Sequence, residues 1–438
     1  MPPPGLTASW RLAREAGLEH FFLLTQEKSE VNRAFAFLLG AQFCGALNDN
    51  LLRYFLSFSV ATGGIWAGEL GRGGQGWVGL AMALPFLMIS GFAGQTADRK
   101  SKTTLAQALK KVEIYIAAVA AVGLLSGSLV LTFVAFFLLA SQSAYFGPTK
   151  YGLIPELNQS QYLSLANGWI NATTHLSAII GMGLAGPLYA LWANGGENWA
   201  PGGVLIALAY LGWRMANHIP YQKPQAPHLI SSFGWFKPYK DALSAMQAGP
   251  GFLIAGCWAG FYLLAGLALL FLPDWPALLG ISQAAGSLLL AILGGSIGIG
   301  SALAGLLSGS NIRTNLIPLG ATGMAIAFLA LGLIPPTFTT TAGLLFLGGI
   351  SSGFYVVPLQ AALQYLAPEA ERGRFLGAAN MLSWTAIALA SVLFLILRKY
   401  CDVAPHRIPL VTGLLAATGI LLALPGPQTK MRQAVLST

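Results

Sequence analysis

Three adjacent polar residues, Asn48, Asp49 and Asn50, followed by Arg53, interrupt a stretch that is otherwise apolar from 35 to 62. On a helix, Asp49 and Arg53 are four apart, share a face and can pair. A charge held at the centre of a membrane-crossing helix costs about 2.5–3.5 kcal/mol on insertion scales, so it needs a reason to be there. One reason is a polar knot that stitches the helix to its neighbours. The other, which we favour, is a site for a polar headgroup or an ion facing a water-filled cavity. Asn167, Asn171 and His175 follow one another at four-residue spacing and form a polar stripe on one helical face. Gln142, Gln360 and Gln364 are further candidates for the wall of such a site. For His175 the competing expectation is a hydrogen-bonded packing residue.

Little else in the chain does chemistry. Cys44, Cys257 and Cys401 are far apart and have no zinc or redox spacing, and no cluster of metal-ligand types occurs. No metal or cofactor is expected. The residues five positions after His20, His175, His218, His228 and His406 are Thr25, Ile180, Lys223, Phe233 and Val411, so the His-x-x-x-x-Asp pair of an acyltransferase is absent.

These residues must be held by elements suited to lipid. Of 438 residues, 55% are hydrophobic and 9% charged, against about 25% charged in a soluble domain. A soluble enzyme and a disordered chain are both excluded. The apolar residues run continuously instead of alternating, which argues against a transmembrane barrel. A helix needs about 20 apolar residues to cross the bilayer. Segments of that kind are expected near 35–62, 76–95, 105–125, 129–149, 163–190 and 202–220, and again near 251–272, 286–308, 315–334, 341–364, 374–397 and 409–424.

The reading is an all-α polytopic membrane protein with twelve transmembrane helices in two pseudo-symmetric six-helix bundles. A polar leader occupies 1–34, the first bundle 35–222, a central loop 223–249, the second bundle 250–425 and a tail 426–438. With both termini cytoplasmic, sixteen basic residues fall inside, against Arg72, Arg398, Lys399 and Arg407 outside, as the positive-inside rule requires. The net charge of +9 therefore belongs to loops, and no nucleic-acid partner is implied. Glu156 and Glu369, Asn167 and Asn380, and Asp98 and Asn311 are all separated by 213 residues, close to half the chain. Such duplication is common in secondary transporters, whose substrate sites lie between the repeats near the bilayer midplane. Gly294 with Gly298, Gly305 with Gly309, and Gly181 with Ala185 are expected to give close helix contacts.

The segment Gly94-Gln-Thr-Ala-Asp98-Arg99-Lys-Ser-Lys102 resembles the signature loop of the major facilitator superfamily, which implies that Asp98 and Arg99 help clamp the cytoplasmic side. Lys110 and Glu113 can pair, although the expectation for Lys110 and Lys111 is snorkelling to the surface, with Glu113 a turn deeper. Two prolines and two glycines in Phe146-Gly-Pro-Thr-Lys150-Tyr-Gly-Leu-Ile-Pro155-Glu156 are expected to break or bend the fourth helix and leave Lys150 and Glu156 at the membrane edge. Glu113, Lys150 and Glu156 are thus read with Asp98 and Arg99 as gating residues.

That proline-rich stretch, after an Asn-Asp-Asn first span, is similar to the bacterial lysophospholipid transporters, a branch of the major facilitator superfamily. The resemblance covers about 35–395. It implies alternating-access flipping of lysophospholipids such as lysophosphatidylethanolamine across the bacterial inner membrane, for re-acylation on the cytoplasmic side. It also implies a partner acyltransferase/acyl-carrier-protein synthetase, here expected as a separate polypeptide. The alternative within transport is an exporter of drugs or other amphiphiles. A membrane enzyme and a non-transporting scaffold are disfavoured by the missing acyltransferase pair and by the charge placed within spans.

Overall fold

The computed structural model describes residues 19–158, 163–195, 198–225, 240, 251–308, 312–366 and 372–423. Most of the chain outside these residues belongs to the expected leader, central loop and tail; Gly309, Asn311, Pro368 and Glu369 also lie outside them. The long helices are α1 (Glu19–Val60), α2 (Gln75–Arg99), α3 (Lys102–Leu125), α4 (Leu129–Leu157), α5 (Leu163–Ala193) and α6 (Ala200–Asn217), then α7 (Gly251–Phe271), α8 (Gln283–Ser308), α9 (Leu316–Leu333), α10 (Phe338–Leu366), α11 (Arg372–Leu395) and α12 (Ile408–Ala423). No strand occurs among the described residues. Helices satisfy their own backbone hydrogen bonds, which is what hydrocarbon demands.

Eight of these helices (α2, α4, α5 and α7 through α11) are long and apolar enough to cross a membrane. Two that miss that measure do so through the side chains of greatest interest: α1 carries Asn48, Asp49 and Asn50, and α3 carries Lys110, Lys111 and Glu113. Helix α1 begins at Glu19, so part of the segment read as a leader is continuous with the first span. Ser101 and Ser128 cap α3 and α4 by accepting from the amides of Thr104 and Leu131. Gly127, at φ 66, makes the turn between those two helices.

Packing repeats with an offset of six helices. In the first half α1 lies against α4, α5 and α6, α3 against α4 and α6, and α2 against α4. In the second half α7 lies against α10, α11 and α12, α9 against α10 and α12, and α8 against α10. The halves meet along two seams, α2 with α11 and α5 with α8, and the same offset converts one seam into the other.

Both seams are tight toward one end only. A Cβ added to Gly79 would lie 2.3 Å from the Ser391 hydroxyl, and one on Gly186 2.3 Å from the Gln283 carbonyl oxygen. Phe86 and Trp384 stack across the α2–α11 seam with centroids 3.9 Å apart. Toward the other end, hypothetical Cβ atoms on Gly94, Gly168, Gly298, Gly305 and Gly377 meet nothing within 4 Å. The bundle is closed at the end carrying Thr62 and Asp274 and open at the end carrying Lys102.

Two expectations change here and one holds. The close approach in α8 is made by Gly300 against Gly353 of α10, not by Gly298 or Gly305, because those two face open space. Gly181 does make a close contact, with Asn50 of α1. Helix α4 runs unbroken through Pro148 and Pro155 to Leu157. A proline removes a single intrahelical hydrogen bond, and packing against α1, α2 and α3 holds the rest of the helix.

The glycine geometry separates two substitutions of equal size. A Cβ on Gly353 would lie 2.2 Å from the Gly300 carbonyl carbon, so Gly353→Ala is expected to destabilise by about 1–3 kcal/mol, as overpacking does. Gly298→Ala is expected to leave stability unchanged or slightly raised. Thermal unfolding of the two variants in detergent checks the contrast.

Candidate functional site

The polar residues of α1 face three different neighbours. Asn48 is fully buried; its amide donates to Glu113 Oε1 at 3.3 Å and to the Leu205 carbonyl at 3.2 Å, joining α1 to α3 and α6. Asp49 turns toward α4, where Ser143 donates to its Oδ2 at 2.6 Å. Its other oxygen, Oδ1, is buried without a hydrogen-bond partner. Asn50 is half-buried and donates back to the Ala46 carbonyl. Arg53 does not pair with Asp49: its guanidinium lies 5.3 Å from the centroid of the Tyr54 ring.

Lys110 is not a snorkelling lysine. It is 1% exposed, its Nζ lies 2.7 Å from Glu113 Oε2, and it sits 4.6 Å from the centre of the Phe146 ring. Room for it exists because residue 45 is glycine; a Cβ there would fall 2.0 Å from the ammonium nitrogen. Lys111, one position on and exposed, is the lysine that points out. Glu113 therefore belongs to a pair in the body of the first half, and the sequence-based grouping of it with the end-of-helix residues does not hold geometrically.

Continuation of α4 past Pro148 also moves Lys150. It is a buried helical residue, lies 4.7 Å from the Tyr151 ring centroid, and is near enough to Asp49 and Lys110 for their charges to interact. Gln142 is buried on the same helix and donates to the Leu109 carbonyl. Asp49, Lys110, Glu113 and Lys150 make two anions and two cations within one half of the molecule.

Asn167, Asn171 and His175 are all exposed on α5. Beside that stripe, Thr174 accepts from Gln42 at 2.8 Å and Ser177 donates to the Phe43 carbonyl, which fixes α5 against α1. Gln360 is half-buried and Gln364 exposed on α10, apart from the first-half cluster.

At the open end, Asp98 and Arg99 are exposed at the C-terminus of α2. Glu156 forms a buried pair with Lys102 at 2.6 Å and also accepts from Gln225. This pair joins α3 to α4 and so lies wholly within the first half. Sequence reasoning read Lys102 only as a loop charge; its position next to the cap residue Ser101 is what turns it inward.

The closed end holds a network that the sequence did not reveal. Asp274, which follows α7, accepts from the Thr62 amide at 2.8 Å and from Gln75 at 2.8 Å, and lies 3.4 Å from Arg398. Arg398 also donates to the Val403 carbonyl and to the Thr62 hydroxyl. Nearby, Arg72 pairs with Asp402. Arg398, counted from sequence among the outside loop charges, is a buried side chain that ties the second half to the first. The available signal was a lone carboxylate in the apolar run around Leu272-Pro-Asp274-Trp.

Among the described residues no group of His, Cys, Asp or Glu is arranged to hold a metal ion. The arrangement offers a mouth at one end, a polar first-half wall and an apolar second half, which suits binding and passage of an amphiphile.

Comparison with known proteins agrees. The sequence profile of the Major Facilitator Superfamily matches residues 38–391. A "Lysophospholipid transporter LplT" of Salmonella arizonae is 29% identical over 358 residues, covering 77% of this chain and 81% of the relative. The protein of the same name from Yersinia enterocolitica is 26% identical, covering 88% and 91% respectively. Among solved structures the chain is similar to a D-xylose-proton symporter (TM-score 0.68, 16% identity, 90% of this chain and 98% of that one) and to a bacterial homolog of the human lysosomal transporter Spinster (TM-score 0.62, 14% identity, 92% and 96%).

Breaking one partner of a buried ion pair leaves an uncompensated charge and costs about 3–5 kcal/mol, whereas replacing both with apolar residues is often neutral. Glu113→Gln is therefore expected to lower the unfolding temperature in detergent sharply. The double variant Lys110→Met with Glu113→Leu should recover most of that loss.

Proposed function

This chain belongs to the major facilitator superfamily, and from that premise we propose that it is a lysophospholipid transporter of the bacterial inner membrane. It carries molecules such as lysophosphatidylethanolamine to the cytoplasmic leaflet, where a separate acyltransferase restores the second chain. Its topology is twelve spans, six on either side of the central loop at 223–249, with both termini cytoplasmic. The Lys102 end then faces the cytoplasm, the Asp274 end faces outward, and the described conformation is inward-open.

One observation carries the reading: charge is buried in the body of the bundle in the first half, whereas the buried charges of the second half, Asp274 and Arg398, lie past the ends of α7 and α11. Helices α7, α8, α9, α10 and α12 contain no Asp, Glu, Lys or Arg. A sugar needs hydrogen-bonding groups on both walls. A one-tailed amphiphile needs a polar wall for its head and an apolar wall for its tail. Each methylene of the tail adds about 0.8 kcal/mol when buried. The names of the relatives from Salmonella arizonae and Yersinia enterocolitica support the same substrate class.

Asp49 is the group we assign to the ammonium of the headgroup. Its Oδ1 is buried and unpartnered, and a cationic donor there would relieve the cost of that orphaned acceptor. Asn50, Arg53, Asn171 and His175 are accessible enough to complete the polar wall. Asn48 and Gln142 support it from behind by fixing α1 and α4. Asp98, Arg99, Lys150 and Glu156 remain candidates for the inner gate.

Alternating access needs contacts that exist in one state and are lost in the other. The Asp274–Arg398 network, with Gln75 and Thr62, is such a set: it joins the halves at the closed end, and we assign it to the outer gate.

Two outcomes test this. Asp49→Asn keeps the size and the bond from Ser143, and is expected to reduce lysophosphatidylethanolamine uptake into proteoliposomes at least about tenfold, the equivalent of ~1.4 kcal/mol, without lowering the unfolding temperature. Uptake at the wild-type rate would exclude the headgroup role. Asp274→Ala leaves Arg398 unpaired in the closed state and should raise outward-open occupancy. A single cysteine replacing Ser391, which is buried in the closed seam, would then label faster with an impermeant thiol reagent added outside. An unchanged labelling rate would mean the network is only structural.

A further inference from the structure

A cavity of about 440 Å³, mouth included, lies where α5 meets the second half. Met182 of α5, Phe261 and Ala265 of α7, Leu293 of α8 and Phe328 of α9 line it. Ser352 of α10 is its polar lining residue, and that hydroxyl is already committed to the Gly348 carbonyl. Met182, Phe261, Leu293 and Phe328 are all buried, so the space belongs to the interior and not to the lipid-facing surface. Interiors are normally packed with few voids larger than a water molecule. An apolar void stays dry and takes apolar ligands, because water finds no hydrogen-bond partners in it.

The position of the cavity relative to the polar stripe gives it a direction. His175 and Met182 are seven residues apart on α5, so they share a face and are about 10 Å apart along the helix axis. His175 is exposed and lies toward the open end; Met182 is buried and lies deeper. Gly294 of α8 also lines the cavity, and a Cβ added there would press on Ile179 at 3.2 Å and on Met182 at 3.3 Å.

We propose that in this conformation the chamber seats the distal part of the acyl tail while the headgroup, having left Asp49, rests at Asn171 and His175. The assignment rests on the lysophospholipid reading and extends it. The amphiphile in this pose has its head toward the open mouth and its tail toward the middle of the bundle. That is the orientation of a lipid in the leaflet on the open side, so inversion is complete and the molecule leaves without turning again. The chamber also sets a chain-length preference: each methylene it receives strengthens binding about fourfold, and methylenes beyond its end add nothing. Met182 and Met324, flexible and polarizable, let the wall fit tails of somewhat different length.

The test uses the full chain in proteoliposomes and a series of lysophosphatidylethanolamines with saturated tails from decanoyl to octadecanoyl. Ala265→Phe shortens the chamber and should weaken octadecanoyl uptake about tenfold while leaving decanoyl uptake within about twofold of wild type. Phe328→Leu enlarges it and should shift the optimum the other way, toward longer tails. If Ala265→Phe fails to fold, the direction of the Phe328→Leu shift decides. Wild-type uptake with an unshifted chain-length profile in the folded variants would overturn the chamber alone. Wild-type protein that moves no lysolipid of any length would overturn the transport reading, and the chamber assignment with it.

Discussion

A charge inside hydrocarbon must be paired, hydrogen-bonded or in contact with water, and the first half of this molecule is organised around that requirement. Lys110 and Glu113 neutralise each other, and Asn48 holds the carboxylate from α1 while bonding to the Leu205 carbonyl on α6. Three helices are thereby fixed to one another through polar contacts whose loss would be costly. Asp49, one residue from Asn48, is held by the same frame, with Ser143 engaging one of its oxygens. The other oxygen remains free for something outside the frame. Rigid support behind a partly satisfied carboxylate is what allows a binding group to be preorganised at membrane depth.

The second half is built differently. Its helices meet through small residues, as where Gly300 faces Gly353 and Gly320 approaches Ser351 and Tyr355, and dispersion does the work that charge does in the first half. The two halves join firmly only at one end, through the Asp274 hub and the glycine contacts of the two seams. Packed contacts of this kind have discrete arrangements instead of sliding continuously. A polar wall, an apolar wall and a joint at one end together form a container that can change the side on which it opens.

Much of this was legible in the sequence. The apolar runs give the helices, and pairs of residues about half the chain apart anticipate packing that repeats six helices later. The Asn48–Asn50 stretch marks the buried polar centre. Other features were hidden because they depend on partners distant in sequence. Nothing local to Lys110 says whether it turns outward or inward; Gly45, sixty-five residues earlier, supplies the room. Pro148 looks like a helix end until the packing around α4 is known. Arg398 reads as an outside loop charge because Asp274, Gln75 and Thr62 come from three other segments. The α8 glycines could be counted from sequence, but the register that selects Gly300 over Gly298 is tertiary.

A container with one polar wall and one narrow apolar wall is expected to accept one acyl chain and reject two. The close contacts at Gly186, Gly294 and Gly300 leave little width around the apolar wall for a second tail. The most direct measurement is transport by the purified protein in liposomes of fluorescent lysophosphatidylethanolamine, compared with diacyl phosphatidylethanolamine and a lipophilic cationic dye. Transport of the lysolipid with strong discrimination against the diacyl lipid is the predicted result. Equal transport of both lipids, or transport of the dye alone, would contradict it.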